Sequence, residues 1–571
     1  SLGVPFTELL FHLATSAIPA TGSPAGYVGL ITSNSFMKRG FGKTLVKQYI
    51  PNWDLTHVVD TSGAYIPGHG TPTVILFGRN QRPASDTIRT VMGIRGEPST
   101  PAVPAKGLVW TAIVAQADQP DSESAYISVS DTDRMRFATH PWSIGGGGAA
   151  ELKDFVEENR VILGSLVEGV GVFGMTNADP VFVAPYHTHR RWGIPARLAA
   201  SWTTGEQVRD WHITAGESVI LPYESTGLID EASLPLSVIR HMWPYRTTTW
   251  SRATFNKKTY REEGRTWWEW HQVNLARQKP PVVIFSHVAT GNHFVLVTDR
   301  RAYNVHAAMI LPGDLAFDTI LAILALMNSS VACFWMKQQF QSKGNGGIGG
   351  GIGDEPWEPR FEFDGTKLHQ FPLPSEDLPI GLGQLLNGLA TSTASNQPSA
   401  LAASGVPTRE RLDDAREESG RIFAKMVASQ EELDWRCLHL YGLTDESLTA
   451  SEGRTAPPLT LGERAFEIVL ARQIKAGEEE TAWFSRNGYV VPDEAAMARL
   501  PRATRELVET RVEILQNNRS LGLLERPEHK RRWTRRDWDE DVRSALTAAL
   551  LDALEGAAKG DTAVQSLRAL A

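Results

Sequence analysis

The chain is 571 residues long, too long for a single compact core, and its length suggests about three or four domains. Hydrophobic residues make up 42% of it and charged residues 21%, which is typical of folded globular proteins and excludes collagen, coiled coil and wholesale disorder. The formal net charge of −8 predicts a mildly acidic average surface and, taken alone, argues against a polyanionic partner.

The cysteines and the apolar runs bear on the cellular compartment. Cys333 and Cys437 lie far apart and lack zinc-ligand spacing, so we expect free thiols and a cytoplasmic location. No secretory signal is visible, and the amphipathic start of the sequence resembles the middle of a domain. Residues 317–336 approach the length of a membrane span, but polar residues interrupt them, so we expect a buried helix and no membrane.

Residues 1–84 predict the C-terminal half of an open α/β sheet. In chain order, GYVGLITSNSF predicts a strand, FMKRGFGKTLVKQYI a helix and LTHVVDT a strand, followed by a Gly- and Pro-rich loop and a strand in TVILFGR. Asn34 and Ser35 end the first strand on its carboxyl side, where α/β sheets bind their ligands.

The rest of the chain divides by composition. Residues 85–159 are a mixed connecting region, residues 160–389 alternate apolar runs with aromatic and basic clusters, and residues 390–405 predict a linker. Residues 406–571 are charge-rich with helical periodicity and predict a mostly helical C-terminal domain. The glycine-rich stretch after Lys343 permits close backbone approach to a ligand or nucleic acid, or is a mobile connection.

Charge is unevenly distributed, and this reverses the expectation about polyanions. Residues 246–265 interleave basic side chains, among them Arg252, Lys257 and Lys258, with aromatic rings, a pattern that suits phosphate neutralisation and base stacking. The alternative is an amphipathic core segment with a solvated basic face. A second basic cluster, residues 526–536, is either another binding surface or an ordinary helix surface.

Three shorter patterns carry weaker signals. The segment HTHRRW contains Arg190 and Arg191 and suits phosphate contact better than zinc, because its histidines lack further ligands at metal spacing. The run Gly145–Gly148 matches no phosphate-loop motif and favours a plain loop. Glu151 and Lys153 form an E-x-K with aspartates upstream, but a pattern this short is explained by chance and does not establish a nuclease.

Several longer blocks together resemble one family. GYVGLITSNSFMKRGFGKTL, LTHVVDTSGAYIPGHGTPTVILFGRN, HPWSIGGGGAAELK and the KGNGGIGGGIGDEPWE block resemble adenine-specific DNA methyltransferases of type IIG-like architecture, most closely the PglX type of type 2 BREX phage-defence systems. Later segments such as MVASQEELDWRCLHLYGL extend the resemblance over nearly the whole chain.

The resemblance implies a fold and a chemistry. The fold is a Rossmann-like sheet that binds S-adenosylmethionine, followed by a mixed α/β target-recognition domain and a helical C-terminal domain. The implied reaction is methylation of the N6 amine of an adenine that is flipped out of double-stranded DNA, because a base edge inside the stack is out of reach. The implied partners are that DNA and other BREX components, and the implied role is self-marking of host DNA.

The resemblance also assigns candidate site residues. Tyr65 lies where related enzymes place an aromatic ring over the extruded adenine, although packing under its loop is the alternative; Asn34 and Ser35 join it as base-binding candidates. The candidates for DNA contact are Lys38, Arg39, Lys43, Arg190, Arg191, Arg252, Lys257, Lys258 and Lys343. Asn328 and Ser329 resemble an element of the family at the domain edge that is more structural than DNA-reading.

The sequence departs from the family at its catalytic centre. The family's glycine-containing cofactor motif and its Asn/Asp-Pro-Pro-Tyr/Phe motif are both absent, since the Pro-Pro pairs at 280–281 and 457–458 follow Lys279 and Ala456. We therefore expect a C-terminal portion of a longer methyltransferase that is inactive alone. The alternative is a non-catalytic DNA-specificity or protein-interaction subunit, while a fused restriction enzyme is disfavoured because no credible nuclease motif is present.

Overall fold

The structure is a computed structural model. It describes residues 2–18, 20–214, 216–344, 355–450, 459–493, 497–534 and 536–557. Most of the glycine-rich stretch after Lys343, residues 345–353, therefore lies outside the described residues, as does the Pro-Pro pair at 457–458.

The N-terminal part of the chain is built around a five-stranded sheet of order β1-β3-β2-β4-β5. Its elements are α1 Gly3–Leu13, β1 Tyr27–Ser33, α2 Ser35–Lys38, β2 Asp54–Asp60, β3 Thr73–Arg79, β4 Thr87–Gly93, α3 Leu108–Gln116, β5 Ile127–Asp133 and α4 Ala149–Glu157. The three strands predicted before residue 84 are present. The single helix predicted after β1 is instead broken into short turns. Within this segment Gly42 packs so closely against the carbonyl of Phe36 that a Cβ at this position would collide with it.

Strand direction fixes which loops meet at each sheet edge. β1 and β2 both run antiparallel to β3, and β4 runs parallel to β2, so β1, β2 and β4 share one direction. β5 closes the sheet antiparallel to β4. The sheet thus extends past residue 84, where the sequence placed a domain boundary. Without β4 and β5, one edge of β2 would have no strand to pair with. One core, around Val28, Leu76 and Phe11, fills one face of the sheet, and another, around Val91 and Ile113, fills part of the opposite face.

The middle of the chain is a set of small sheets with short helices. Its strands are β6 Val161–Ile162, β7 Gly169–Gly171, β8 Gly174–Met175, β9 Val183–Pro185, β10 Ala199–Thr203, β11 Val208–Arg209, β12 His212–Ile213, β13 Glu217–Ile220, β14 Tyr223–Glu224, β15 Gly227–Leu228, β16 Gln272–Val273, β17 Val282–Ser286, β18 Val288–Ala289, β19 Phe294–Val297, β20 Ala302–Tyr303, β21 Ala307–Leu311, β22 Gln341–Gly344, β23 Arg360–Glu362 and β24 Pro372–Leu373. Its helices are α5 Asp179–Phe182, α6 Tyr186–Arg191, α7 Leu236–Met242, α8 Arg246–Trp250, α9 Phe317–Met327, α10 Ser330–Gln339 and α11 Gly365–Leu368. Trp202, Trp267 and Trp270 are fully buried in its core, so these rings do not stack on bases.

The C-terminal part is helical, as its periodicity predicted. Its helices are α12 Ile380–Ser395, α13 Pro398–Ala403, α14 Arg409–Leu440, α15 Ala465–Ala476, α16 Trp483–Arg486, α17 Arg502–Asn517, α18 Arg519–Leu524 and α19 Trp538–Ala557. The linker predicted at 390–405 is wrong, because this segment forms the end of α12 and all of α13, and Leu386, Ala390 and Leu401 are buried.

Helices α9 and α10 belong to the core of this helical part. Their side chains from Ile320 to Met336 are buried together with those of α4, α14 and α15. Asn328 and Ser329 sit at the bend between them: the Asn328 side chain bonds the backbone of Phe294, and the Ser329 hydroxyl caps α10 by accepting from Ala332 N. These are structural roles. Among the described residues no single helix is long and apolar enough to span a membrane, although α9 and α10, bent by 68°, meet that test of length and composition as a pair.

Candidate functional site

A cavity of about 1360 Å³ opens at the carboxyl ends of β1, β2 and β4. Asn34 follows β1, Asp60 and Ser62 end β2, and Gly93 to Glu97 follow β4, so polar and glycine residues from the three parallel strands converge on it. The carboxyl ends of parallel strands are where α/β sheets bind ligands. The position of Asn34 at this edge was expected from the sequence.

The opposite wall comes from the middle and C-terminal parts of the chain. Lys337 and Gln338 of α10 line the cavity, and so do Thr481 and Glu528 from segments between the C-terminal helices. The rim is tied together by ion pairs and hydrogen bonds: Arg95 Nη2 lies 2.7 Å from Glu479 Oε1, and Thr481 Oγ1 donates to Glu355 Oε2 at 2.7 Å. The site is therefore composite, and no local sequence pattern could have joined these segments.

Lys38 is a buried cation in the cavity wall. Its ammonium group donates to Lys337 O at 3.1 Å, and its neighbour across the cavity is the carboxylate of Asp60. Burial, with Lys367 and Lys153 adding repulsion, lowers the pKa of Lys38 to about 7, while Asp60 partly opposes the shift. Burial also raises the pKa of Asp60, although Ser62 N donates to its carboxylate at 2.9 Å. Strongly shifted groups in a cavity favour a functional site.

Asn34 supplies an acceptor without a partner. Its Oδ1 is buried and receives no hydrogen bond from any described residue, whereas its backbone N donates to Pro72 O at 3.0 Å. An unpaired buried acceptor costs about 1–3 kcal/mol, so a ligand with an N–H donor would satisfy it. Ser35 lies beside it in α2, where its hydroxyl is 2.9 Å from that of Ser33, and it is not among the lining residues.

Tyr65 lies on the loop between β2 and β3. Backbone of this loop at Gly63, Gly68 and Gly70 lines the cavity, while Tyr65 itself is half-buried and not among the lining residues. Its stacking role stays a prediction.

Two of the predicted DNA-binding residues meet near the cavity mouth. Arg39 and Lys343 both pair with Glu362, at 3.2 Å and 2.9 Å, and Lys343 lines the cavity. Lys43 is exposed on the same segment as Lys38. Sequence reasoning missed Asp60 and Lys337. Asp60 carries the same signal as Asn34, a polar residue at the end of a buried strand, whereas Lys337 carries none.

A known protein matches nearly the whole of this chain. Adenine-specific methyltransferase PglX of Streptomyces coelicolor is 42% identical over 568 residues, which cover 97% of this chain and 47% of PglX. The chain is a relative of PglX. The resemblance that its motifs suggested is thereby confirmed, and the chain spans about half the length of this curated relative.

Three further matches are weaker or cover less of the chain. A family model described as a domain of unknown function (DUF7008) matches residues 426–571. The solved structure of the type IIL restriction-modification enzyme MmeI in complex with DNA matches 74% of this chain and 47% of its own, with 9% identity and a TM-score of 0.40. That of the type IIG restriction endonuclease BpuSI matches 78% and 50%, with 11% identity and a TM-score of 0.29.

Outside the cavity, the structure separates the remaining basic candidates. Arg191 lies 3.0 Å from Asp552 of α19 and the exposed Arg190 lies 3.8 Å from it, so this pair joins α6 to the C-terminal part. His189 in the same segment bonds Ser218 through Nδ1, and burial lowers its pKa to about 4. The described residues contain no group of three or more His, Cys, Asp or Glu that could hold a metal ion.

The prediction that Arg252 contacts DNA is wrong. Only 7% of Arg252 is exposed, and its guanidinium donates to the carbonyls of Thr249, Thr176 and Glu269. It also stacks on the ring of Tyr260, 4.2 Å from the ring centroid. Here the core alternative holds, because Arg252 is buried and backbone carbonyls accept from its guanidinium group.

Lys257 and Lys258, in contrast, are exposed on a turn. The second basic cluster also divides: Lys530 and Arg531 are buried in ion pairs and hydrogen bonds with Asp434, Glu525 and Asp210, so they are unable to form a binding surface.

Of the nuclease-like pattern, Lys153 pairs with Glu157 and Asp131 with Arg89, so these groups do not share a site.

The distinction between Arg252 and Lys258 is testable. We expect Arg252→Ala to lower the free energy of unfolding by about 3 kcal/mol, because three carbonyls lose a charged donor inside the core. Lys258→Ala should change it by less than about 0.5 kcal/mol, since the side chain is exposed. Urea unfolding followed by tryptophan fluorescence measures both. An unchanged unfolding midpoint for Arg252→Ala, combined with weaker DNA binding, would contradict the buried role of Arg252 and indicate that it contacts DNA.

Proposed function

We propose that this chain is the C-terminal part of an S-adenosylmethionine-dependent DNA methyltransferase that methylates the N6 amine of adenine, as the name of its relative PglX suggests. In this proposal the five-stranded sheet completes a Rossmann-like catalytic domain, the β-rich middle reads the target site, and the helical part closes the cavity. The biological role is self-marking of host DNA in BREX phage defence, together with other BREX components.

The observation that carries the proposal is the unfinished side of the sheet. Among the described residues β1 pairs only with β3, which leaves its other edge open. On the sheet face that α3 covers only in part, Tyr27, Ile31 and Phe77 are 77%, 55% and 43% exposed. Open edges and apolar faces of this kind are normally paired or covered. The half of PglX that this chain does not match has the size to supply the missing strand and helix.

A second apolar surface lies on the outer side of α1, which packs on the opposite face of the sheet. Leu2, Phe6, Leu9 and Leu13 are exposed along it, while Phe11 on its other side is buried. The cofactor and the catalytic Pro-Pro motif then come from the segment that covers this surface, because neither family motif occurs in the 571 residues.

The cavity suits an extruded adenine nucleotide. Adenine presents its N6 amine as a donor, and the unpaired Oδ1 of Asn34 is an acceptor at the correct edge of the sheet. Ser35, beside Asn34 at the start of α2, and Tyr65, on the loop between β2 and β3, complete the proposed base-binding set. Lys38 and Lys343 lie on the cavity wall, where they face the phosphates on either side of the flipped base.

The test is reconstitution of methyl transfer. We expect this chain alone to transfer no label from methyl-labelled S-adenosylmethionine to duplex DNA. Adding the N-terminal half of the full protein as a second polypeptide should restore N6-methyladenine, because the two halves then form one sheet. A variant of that half with its Pro-Pro motif replaced by Ala-Ala is the control for background activity.

A surface variant links the result to the open sheet. Ile31→Asp should prevent assembly and methylation, whereas Val406→Asp, at an exposed position between α13 and α14, should not. Methyl transfer by this chain alone would contradict the proposal. Assembly and DNA binding without any methylation would favour the alternative, a DNA-specificity or protein-interaction subunit.

A further inference from the structure

An exposed aromatic side chain stands at the tip of a turn in the β-rich part. The turn is closed by a bridge between Ala253 and Thr259, and Thr254 N donates to Lys258 O at 2.8 Å. Phe255 at its tip is 72% exposed, and Lys257 follows in the left-handed region with φ 61°. The tip therefore presents one aromatic ring and two lysines to solvent.

Two glutamates hold this turn from below. The Glu263 carboxylate accepts from the Thr254 hydroxyl at 2.9 Å and from the Asn256 amide at 3.0 Å. The Glu262 carboxylate accepts from Thr259 N at 2.7 Å and from its hydroxyl at 2.9 Å. These hydrogen bonds, and after them the charge of Lys258, lower the pKa of both carboxyl groups, so the two acids are engaged within the turn.

A buried stack anchors the turn to the core. The fully buried ring of Tyr260 lies between two guanidinium groups, those of Arg252 at 4.2 Å and Arg265 at 4.1 Å from its centroid. Its hydroxyl is 2.9 Å from His271 Nδ1, and the His271 ring also contacts Phe255, at 4.4 Å between centroids. The exposed ring is thus held in one place rather than carried on a free loop.

We propose that Phe255 inserts between adjacent base pairs of the bound duplex while Lys257 and Lys258 contact the flanking phosphates. This inference rests on the proposed function, because it takes duplex DNA as the partner. Apolar side chains that wedge into a base step unstack it and bend the duplex, and lysines on either side compensate the charge of the backbone. A rigid turn suits this role because a wedge that moved freely would lose entropy on insertion.

The experiment uses the complete methyltransferase, this chain with its N-terminal half, and a duplex that it methylates. Fluorescence anisotropy gives the affinity, energy transfer between the duplex ends gives the bend, and 2-aminopurine placed in turn across the site reports unstacking. We expect unstacking at a base step separate from the methylated adenine. Phe255→Ala should abolish that signal and the bend and weaken binding about tenfold, whereas Phe255→Leu should retain the bend.

The lysines have a different signature. Replacing both Lys257 and Lys258 with glutamine should reduce the slope of log affinity against log salt by about 1.8, with the unstacking signal kept in the residual complex. Val406→Ala, an exposed apolar residue elsewhere, is the control and should change nothing.

The outcomes separate this inference from the proposed function. If Phe255→Ala binds, bends and unstacks DNA like the wild type, the wedge is overturned while the methyltransferase stands. If the variant loses affinity without any change in unstacking, Phe255 contacts DNA outside the base stack and the wedge is again overturned. If the wild-type protein binds no duplex, the proposed function itself fails. Equal melting temperatures of all variants confirm that these surface changes leave the fold intact.

Discussion

Replacing Lys530 with methionine is expected to lower the free energy of unfolding by about 3–5 kcal/mol, because the change leaves buried carboxylates without their cation. Lys530 Nζ lies 2.6 Å from Glu525, 2.7 Å from Asp434 and 3.3 Å from Glu431, and all four side chains are at most 2% exposed. A methionine fills a similar volume and offers no charge. The urea midpoint, followed by tryptophan fluorescence, measures the loss.

The pH dependence of this variant has a defined sign. One ammonium group serves three carboxylates, and burial raises the pKa of Glu525 to about 7. A carboxyl whose pKa is raised on folding contributes stability below its unfolded pKa and loses that contribution as pH rises toward the folded pKa. Without Lys530 the pKa of Glu525 should rise further, and burial should then raise the pKa of Glu431, which Lys530 holds down. The destabilisation should therefore be larger at pH 8 than at pH 5.

Lys425→Met provides the matched control, because Lys425 is exposed on α14 and its replacement should change the midpoint little. If Lys530→Met has the same midpoint as this control, or if its destabilisation is larger at pH 5, then the buried cluster does not hold the helical part together as described.

How far the sequence predicted this structure depends on how local each signal was. The strands of GYVGLITSNSF, LTHVVDT and TVILFGR and the long helix α14 carry their own hydrophobic periodicity, and all are present. The predictions made from the basic clusters failed because the groups that pair with these cations come from other segments of the chain and are not apparent in the sequence. Arg252 is buried by a carbonyl from Thr176, and Lys530 is neutralised by acids from α14, so both segments resembled free basic surface.

The candidate site divides in the same way. Asn34 was predicted because a polar residue at the carboxyl end of a buried strand faces a known ligand edge, and the structure places it in the cavity wall. The far wall, with Lys337 and Glu528, was not predictable, because α10 and the C-terminal segment reach the sheet only through tertiary packing. The open edge of β1 was likewise invisible until strand pairing was known.

The second large effect concerns Lys38, where we expect stability and function to change in opposite directions. Burial lowers the pKa of Lys38 to about 7, so its charged form is disfavoured in the folded protein. A lysine with a lowered folded pKa destabilises most below that pKa, and this penalty fades as pH rises toward the unfolded value. Lys38→Met should therefore raise the urea midpoint at pH 6 and change it less at pH 9.

In the complete methyltransferase the same change should reduce methyl transfer about 100-fold, because the cavity loses the cation proposed to hold a phosphate beside the flipped base. Wild-type affinity for duplex DNA should fall from pH 6 to pH 8 as Lys38 loses its proton, and this fall should be smaller in Lys38→Met.

Lys47→Met, on the same segment but exposed, is the control for charge alone and should keep both the pH dependence and most of the activity. If Lys38 is instead kept for packing, the pattern should be the reverse. The urea midpoint of Lys38→Met should then fall, and methyl transfer should be lost only in proportion to the fraction of unfolded protein. The pairing of higher stability with lost transfer distinguishes the two, because only a group retained for its charge costs stability while the cavity is empty.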